Sequence, residues 1–129
     1  MKRDAVIVSA VRTAIGRQGS ALAGVPAHVL GAEVIKEVVK RANINPEIID
    51  DVIFGNVLSG GGNIARLTAL QTELSLDLPG ITVDRQCGSG LNAINLAAQA
   101  IRAGDGDVYI AGGTESMSRA PYFGWTLKK

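Results

Sequence analysis

Short β-branched runs alternate along this chain with helical stretches, and glycine or proline stands at the joints. That alternation constrains the fold more than any other feature. Residues 5–10 (AVIVSA), 52–57 (VIFGNV), 81–83 (ITV) and 107–111 (DVYIA) are the strand candidates. Between the first two, Leu30, Val34, Ile35, Val38 and Ala42 keep helical spacing, with Glu33, Lys36, Glu37, Lys40 and Arg41 on the opposite face. Glu37 and Arg41 form an i,i+4 pair. Pro26 suits the first turn of that helix, since its missing N–H would lack a partner there, and Asn43 suits its end. Asn63 can cap a second helix with the inner stripe Ile64, Leu67, Leu70 and Leu74. The spacing predicts a third helix from about Ser89 to Ala103, with ends uncertain by a few residues. Such an order predicts an α/β fold, a mostly parallel sheet flanked by helices and joined by right-handed crossovers. A chain of 129 residues holds one such domain, residues 1–129.

The third helix differs from the others. Leu91, Ala93, Ile94, Leu96, Ala97, Ala98, Ala100 and Ile101 cover most of its circumference. A helix apolar nearly all round is buried on more than one side. One small sheet covers one side only, so a second covering surface is expected, and the alanines let it approach closely.

Charge excludes several functions. The 13 basic and 12 acidic residues leave a net charge of +1 with no block of either sign. This gives no electrostatic reason for a nucleic-acid or anionic-membrane partner. The apolar run at residues 5–8 is too short for a signal peptide or a membrane span, and a soluble cytoplasmic protein is expected. Cys87 is the single cysteine and His28 the single histidine. An intrachain disulfide, a zinc site of several thiolates and a metal site of several histidines are thereby excluded. So is a Cys–His pair, unless His28 lies beside Cys87.

The most reactive pattern is residues 82–90, TVDRQCGSG. A β-branched run meets a cysteine, then two glycines and a helix start. Glycines there permit unusual backbone angles, and the arrangement is analogous to the nucleophile elbow of other α/β enzymes. Free N–H groups at a helix start favour a thiolate; Arg85 assists and Asp84 opposes. On these grounds alone Cys87 reads equally well as a nucleophile or as a small buried hydrophobe. His28, early in an amphipathic helix, reads as a surface or boundary histidine. The glycines at 60–62 lack the lysine and serine or threonine of a phosphate loop and read as a flexible connection. Glu115 falls where open α/β sheets place ligands, and equally suits a capping role in a turn.

The segment Cys87-Gly88-Ser89-Gly90, preceded by Val83, resembles the active-site segment of the thiolases, the acetyl-CoA acetyltransferases and 3-ketoacyl-CoA thiolases. Residues 112–118 (GGTESMS) with Ala120-Pro121-Tyr122 are similar to a second signature of that family. Residues 9–16 (SAVRTAIG), Gly55-Asn56-Val57 and Asn63-x-Ala65-Arg66 match its opening portion in order and spacing.

The resemblance implies a mechanism. Cys87 attacks an acyl-CoA thioester, holds the acyl group as a thioester, and passes it to a second acyl-CoA acting as a carbon nucleophile. The reverse direction cleaves 3-ketoacyl-CoA with free CoA. The Cys87 backbone N–H is implied as an oxyanion donor. Coenzyme A thioesters are implied as substrates, with no bound cofactor and no metal. Two departures stand out. Asp84 occupies a position where the family usually has Asn. The family's later parts, a CoA-binding loop domain and a C-terminal half with a Gly-His-Pro histidine, an Asn-Glu-Ala-Phe segment and a second cysteine, find no counterpart here. A C-terminal half or a complementary subunit, in a homo- or hetero-oligomer, is therefore the implied partner. Two other readings stand beside this one. The chain is a non-catalytic assembly module using its apolar helix, or it is a ketosynthase relative, against which residues 112–118 argue.

Overall fold

Strand β1 (Asp51–Gly55) is the centre of the protein and explains the layers on both its faces. Successive side chains of a strand point to opposite faces. Val52 and Phe54 enter one apolar cluster with Ile35, Val39, Ala65, Ala69, Leu78 and Ile110. Ile53 points the other way, into a smaller cluster with Ala93 and Ala97. Every residue of β1 after Asp51 is buried, as for a strand covered on both sides. The structure, a computed structural model, describes residues 3–59 and 61–122. Gly60 of the glycine triplet and residues 123–129 lie outside the described set.

Strands β2 (Gly80–Val83) and β3 (Tyr109–Gly113) flank β1, both parallel to it, in the order β2-β1-β3. In register, Gly55 pairs with Val83 on one side and with Gly113 on the other. The carboxyl ends of all three strands therefore share one edge of the domain. Helices α1 (Ala27–Ala42) and α2 (Ile64–Gln71) pack on one face, and α3 (Ser89–Ala103) on the other. A parallel sheet flanked by helices is thus present.

Local chemistry sets several boundaries. Pro26 is extended (φ −62°, ψ 149°) and immediately precedes α1, so it caps the helix rather than joining its first turn. Asn43 ends α1 in the left-handed conformation at φ 52°, where Asn is tolerated better than most residues. The Asn63 side chain accepts the Arg66 N–H at 3.2 Å and caps α2. The inner stripe of α2 differs from expectation. Ile64, Ala65, Thr68 and Ala69 are buried, whereas Leu70 is half-exposed. Small residues face inward because α1 comes close: a Cβ on Gly31 would lie 2.7 Å from Thr68 Cγ2.

One larger expectation is corrected. Residues 5–10 form no strand. A strand needs a ladder partner, and here a cavity of about 820 Å³ separates residues 5–18 from β3. Val6, Ile7 and Val8 are consequently about three-quarters exposed. Helix α3 is covered on one side among the described residues, as a single small sheet allows. Ser89, Ala93 and Ala97 are buried, but Leu91 is 67% exposed and Ile94 41%. Among the described residues no helix is long and apolar enough to cross a membrane.

Candidate active site

The chain leaves β2 at Val83 and enters α3 at Ser89, and the intervening turn carries Cys87 at the carboxyl end of the sheet. Three side-chain and two backbone hydrogen bonds fix that turn. The Asp84 carboxylate accepts the Gln86 N–H at 2.8 Å. The buried Ser89 hydroxyl accepts the Arg85 N–H at 2.8 Å and donates to the Gln86 carbonyl at 2.6 Å. Backbone N–H groups of Gly88 and Ser89 return to the carbonyls of Arg85 and Gln86 at 3.0 and 3.1 Å. Asp84 is therefore occupied in shaping the turn, a role that its charge alone does not reveal.

The unusual backbone angle falls on Gln86 (φ 51°), not on the glycines at 88 and 90. A non-glycine residue in this region is uncommon and costs about 1–3 kcal/mol where surrounding contacts impose it. The glycine that the site requires is Gly55. A Cβ there would lie 2.6 Å from Gly90 N and from Ser89 C, so only hydrogen lets the end of β1 meet the start of α3. Cys87 itself is a free, exposed cysteine. Its exposure disagrees with the reading of Cys87 as a buried hydrophobe.

His28 is not brought to Cys87. It lines a separate cavity of about 240 Å³ with Ser59, Ser116 and Arg119, which Cys87 does not border. Among the described residues no group of three or more His, Cys, Asp or Glu is arranged to hold a metal ion.

Glu115, by contrast, is more connected than sequence suggests. One carboxylate oxygen accepts the N–H groups of Val57 at 2.9 Å and Leu58 at 3.0 Å. The other accepts the Asn56 side-chain amide at 3.2 Å and the Ser59 hydroxyl. Partial burial works to raise its pKa, but the Ser59 hydroxyl and the amides of Val57, Leu58 and Ser116 outweigh it, holding the carboxyl below its usual range.

The Asn63-x-Ala65-Arg66 pattern is structural here. Asn63 donates to the Gly80 carbonyl at 2.6 Å, and Thr82 Oγ1 donates to Asn63 Oδ1 at 2.7 Å. Arg66 donates to the carbonyls of Leu78 and, at 2.8 Å, Leu76. These bonds tie the start of α2 to the approach to β2. Only the cap itself, Asn three residues before Arg66, is a local signal; its tertiary partners are not.

Known proteins bear on this geometry. A profile described as "Thiolase, N-terminal domain" matches residues 5–126. The acetyl-CoA acetyltransferase of Cupriavidus necator is 50% identical over 121 residues, covering 92% of this chain and 31% of that protein. That of Pseudomonas aeruginosa is 47% identical over 122 residues, covering 93% of this chain and 31% of its own length. The crystal structure of the Bacillus anthracis acetyl-CoA acetyltransferase superposes with a TM-score of 0.91 at 39% identity, over 99% of this chain and 32% of that one. The chain thus spans a little under one third of the length of the relatives it matches. Its sheet order, its cysteine turn at the carboxyl edge and these matches agree that the chain belongs to the thiolase family.

Proposed function

We propose that this chain supplies the acyl-accepting half of a thiolase-type acyltransferase, with Cys87 as its nucleophile and acetyl-CoA as the favoured acyl donor. The observation that carries this reading is an exposed cysteine on a braced turn at the start of α3, in a chain of the thiolase family. The Cys87 sulfur attacks the thioester carbonyl, and the negative charge develops on the carbonyl oxygen. The Cys87 backbone N–H is the proposed donor to that oxygen, where fixed N–H groups are most effective. Collapse of the adduct expels CoA as its thiolate and leaves an acyl-thioester on Cys87. Attack by the α-carbon of a second acyl-CoA then forms the carbon–carbon bond and releases Cys87. Thiolysis of 3-ketoacyl-CoA runs the same steps in reverse, within fatty-acid metabolism.

No cofactor or metal enters this scheme; coenzyme A thioesters are substrates. Deprotonating the second acyl-CoA requires acid–base groups, and such groups contribute ~10²–10⁴-fold each. They come in this reading from a C-terminal thiolase half or a complementary subunit in a cytoplasmic oligomer. The exposed face of α3, with Leu91 and Ile94, is the surface that such a partner would cover.

Iodoacetamide should alkylate Cys87 in the native protein, and acetyl-CoA should add one acetyl group to it by mass. Labelling that occurs only after denaturation would sink the assignment and favour a non-catalytic assembly module. A second expectation concerns turnover. The purified 129-residue chain should acylate slowly and cleave acetoacetyl-CoA negligibly; robust thiolysis by this chain alone would show that the division of roles is wrong.

A further inference from the structure

The segment Thr114-Glu115-Ser116 makes contacts that the proposed chemistry does not use. All three side chains reach parts of the chain far away in sequence. Thr114 Oγ1 donates to the Ala27 carbonyl at 2.6 Å, and Ser116 Oγ donates to the Val25 carbonyl at 3.2 Å. Glu115 gathers Asn56, Val57, Leu58 and Ser59, the residues that follow β1. Those four partners are a side-chain amide, two backbone N–H groups and a hydroxyl. A carboxylate has enough lone pairs on both oxygens for all of them. A carboxamide of the same shape would turn an NH₂ group toward one pair, leaving backbone or amide donors facing a donor.

The same network reaches both ends of the Cys87 turn. Asn56 is 9% exposed, and its side-chain amide divides between Glu115 and the Thr114 carbonyl at 2.8 Å. The Asn56 backbone N–H donates to the Val83 carbonyl at 3.2 Å, at the residue where the turn departs. Its neighbour Gly55 accepts the Thr114 N–H at 3.1 Å and lies directly against Ser89 and Gly90, where the turn ends. Entry and exit of the turn therefore both abut the Gly55-Asn56 step, and Glu115 with Thr114 anchors that step from the other side.

We propose that Glu115 is a positioning residue for the acyl-transfer site: its carboxylate locks residues 56–59, and through Gly55 and Asn56 it fixes the turn that presents Cys87. This rests on the reading of Cys87 as the nucleophile. Glu115 touches neither the sulfur nor the acyl group in this scheme, so its effect falls on the rate of acyl transfer and not on substrate affinity. A misplacement of about 1 Å at a reacting group can cost on the order of 10²-fold.

The test is single-turnover acylation of Cys87 by acetyl-CoA, in the full chain in whatever assembly it forms. Glu115→Gln should lower the limiting acylation rate roughly 10–100-fold while the half-saturating acetyl-CoA concentration stays about where it was. Amide hydrogen exchange at Val57 and Leu58 should accelerate in the same variant. Ser59→Ala removes one of four donors and should shift the limiting rate in the same direction by less. A Glu115→Gln protein acylated at the wild-type rate overturns the proposal, as does a loss expressed wholly as weaker substrate saturation. If Glu115→Gln fails to fold, an unchanged limiting rate in Ser59→Ala overturns it. A wild-type protein that is neither acylated nor alkylated overturns the reading of Cys87 itself, and the positioning role with it, a result distinct from the first two.

Discussion

Thr68 has a fully buried hydroxyl with no hydrogen-bond partner among the described residues, held where α2 meets Gly31 of α1. A buried polar group left unsatisfied costs about 1–3 kcal/mol. Thr68→Val keeps the shape and removes the stranded hydroxyl, so it should raise stability by about 1 kcal/mol, read as a higher denaturation midpoint at unchanged slope. Gly55 predicts the opposite. A methyl group there meets the α3 backbone at 2.6 Å, and neither backbone can retreat without moving the sheet or the turn. Gly55→Ala should cost about 1–3 kcal/mol or more and slow native alkylation of Cys87, both measurable on one preparation. The strand-to-helix turn that carries Cys87 was legible from its neighbours. The left-handed angle at Gln86 was not, because it belongs to the closed turn, in which Asp84 accepts the Gln86 N–H and Ser89 donates to the Gln86 carbonyl.

At the scale of elements, two carboxylates pin the sheet at opposite ends. At the amino end, Asp50 accepts the N–H groups of Asp107 and Val108 at 2.7 and 2.9 Å. At the carboxyl end stands Glu115. Its folded-state pKa is lowered, so its stabilisation is complete above the unfolded value of about 4.3 and is lost as pH falls through the lower folded value. The difference in melting temperature between wild type and Glu115→Gln should therefore be flat from neutral pH down to about 5 and should shrink below about 4. A gap that stays constant into the acid range would remove Glu115 from this linkage. Helices α1 and α3 were readable because their signals are local: the spacing of apolar residues in both, and Asn43 at the end of α1. Residues 5–10 have the composition of a strand, but strand formation depends on a partner that composition cannot supply. The inner stripe of α2 failed at Leu70 for a related reason, while Ile64 is buried and Leu74 packs against the core. Which face of a short helix is inside is decided by the neighbour that comes closest, here α1 through Gly31.

For the whole molecule, the apolar surface left uncovered is large relative to its stability. Leu91 and Ile94 on α3, and Val6, Ile7 and Val8 beside the cavity, are all substantially exposed. Covering these five is worth on the order of 5–10 kcal/mol before the entropy of association, at about 1.5–3 kcal/mol per fully buried side chain. Small domains have a total stability of about 5–15 kcal/mol. The 129-residue chain alone should therefore self-associate at micromolar concentration, seen by light scattering. A sharp monomer peak with a cooperative melt and no binding of a hydrophobic dye would contradict this.

The opening of about 820 Å³ between residues 5–18 and β3 also has a thermal consequence. Whatever chain closes it must bury hydrocarbon there, and burying hydrocarbon carries a negative heat-capacity change. Hydrophobic association of that kind weakens on cooling. An assembly built on this opening would thus loosen in the cold, and samples held on ice would release chains that stay bound at room temperature.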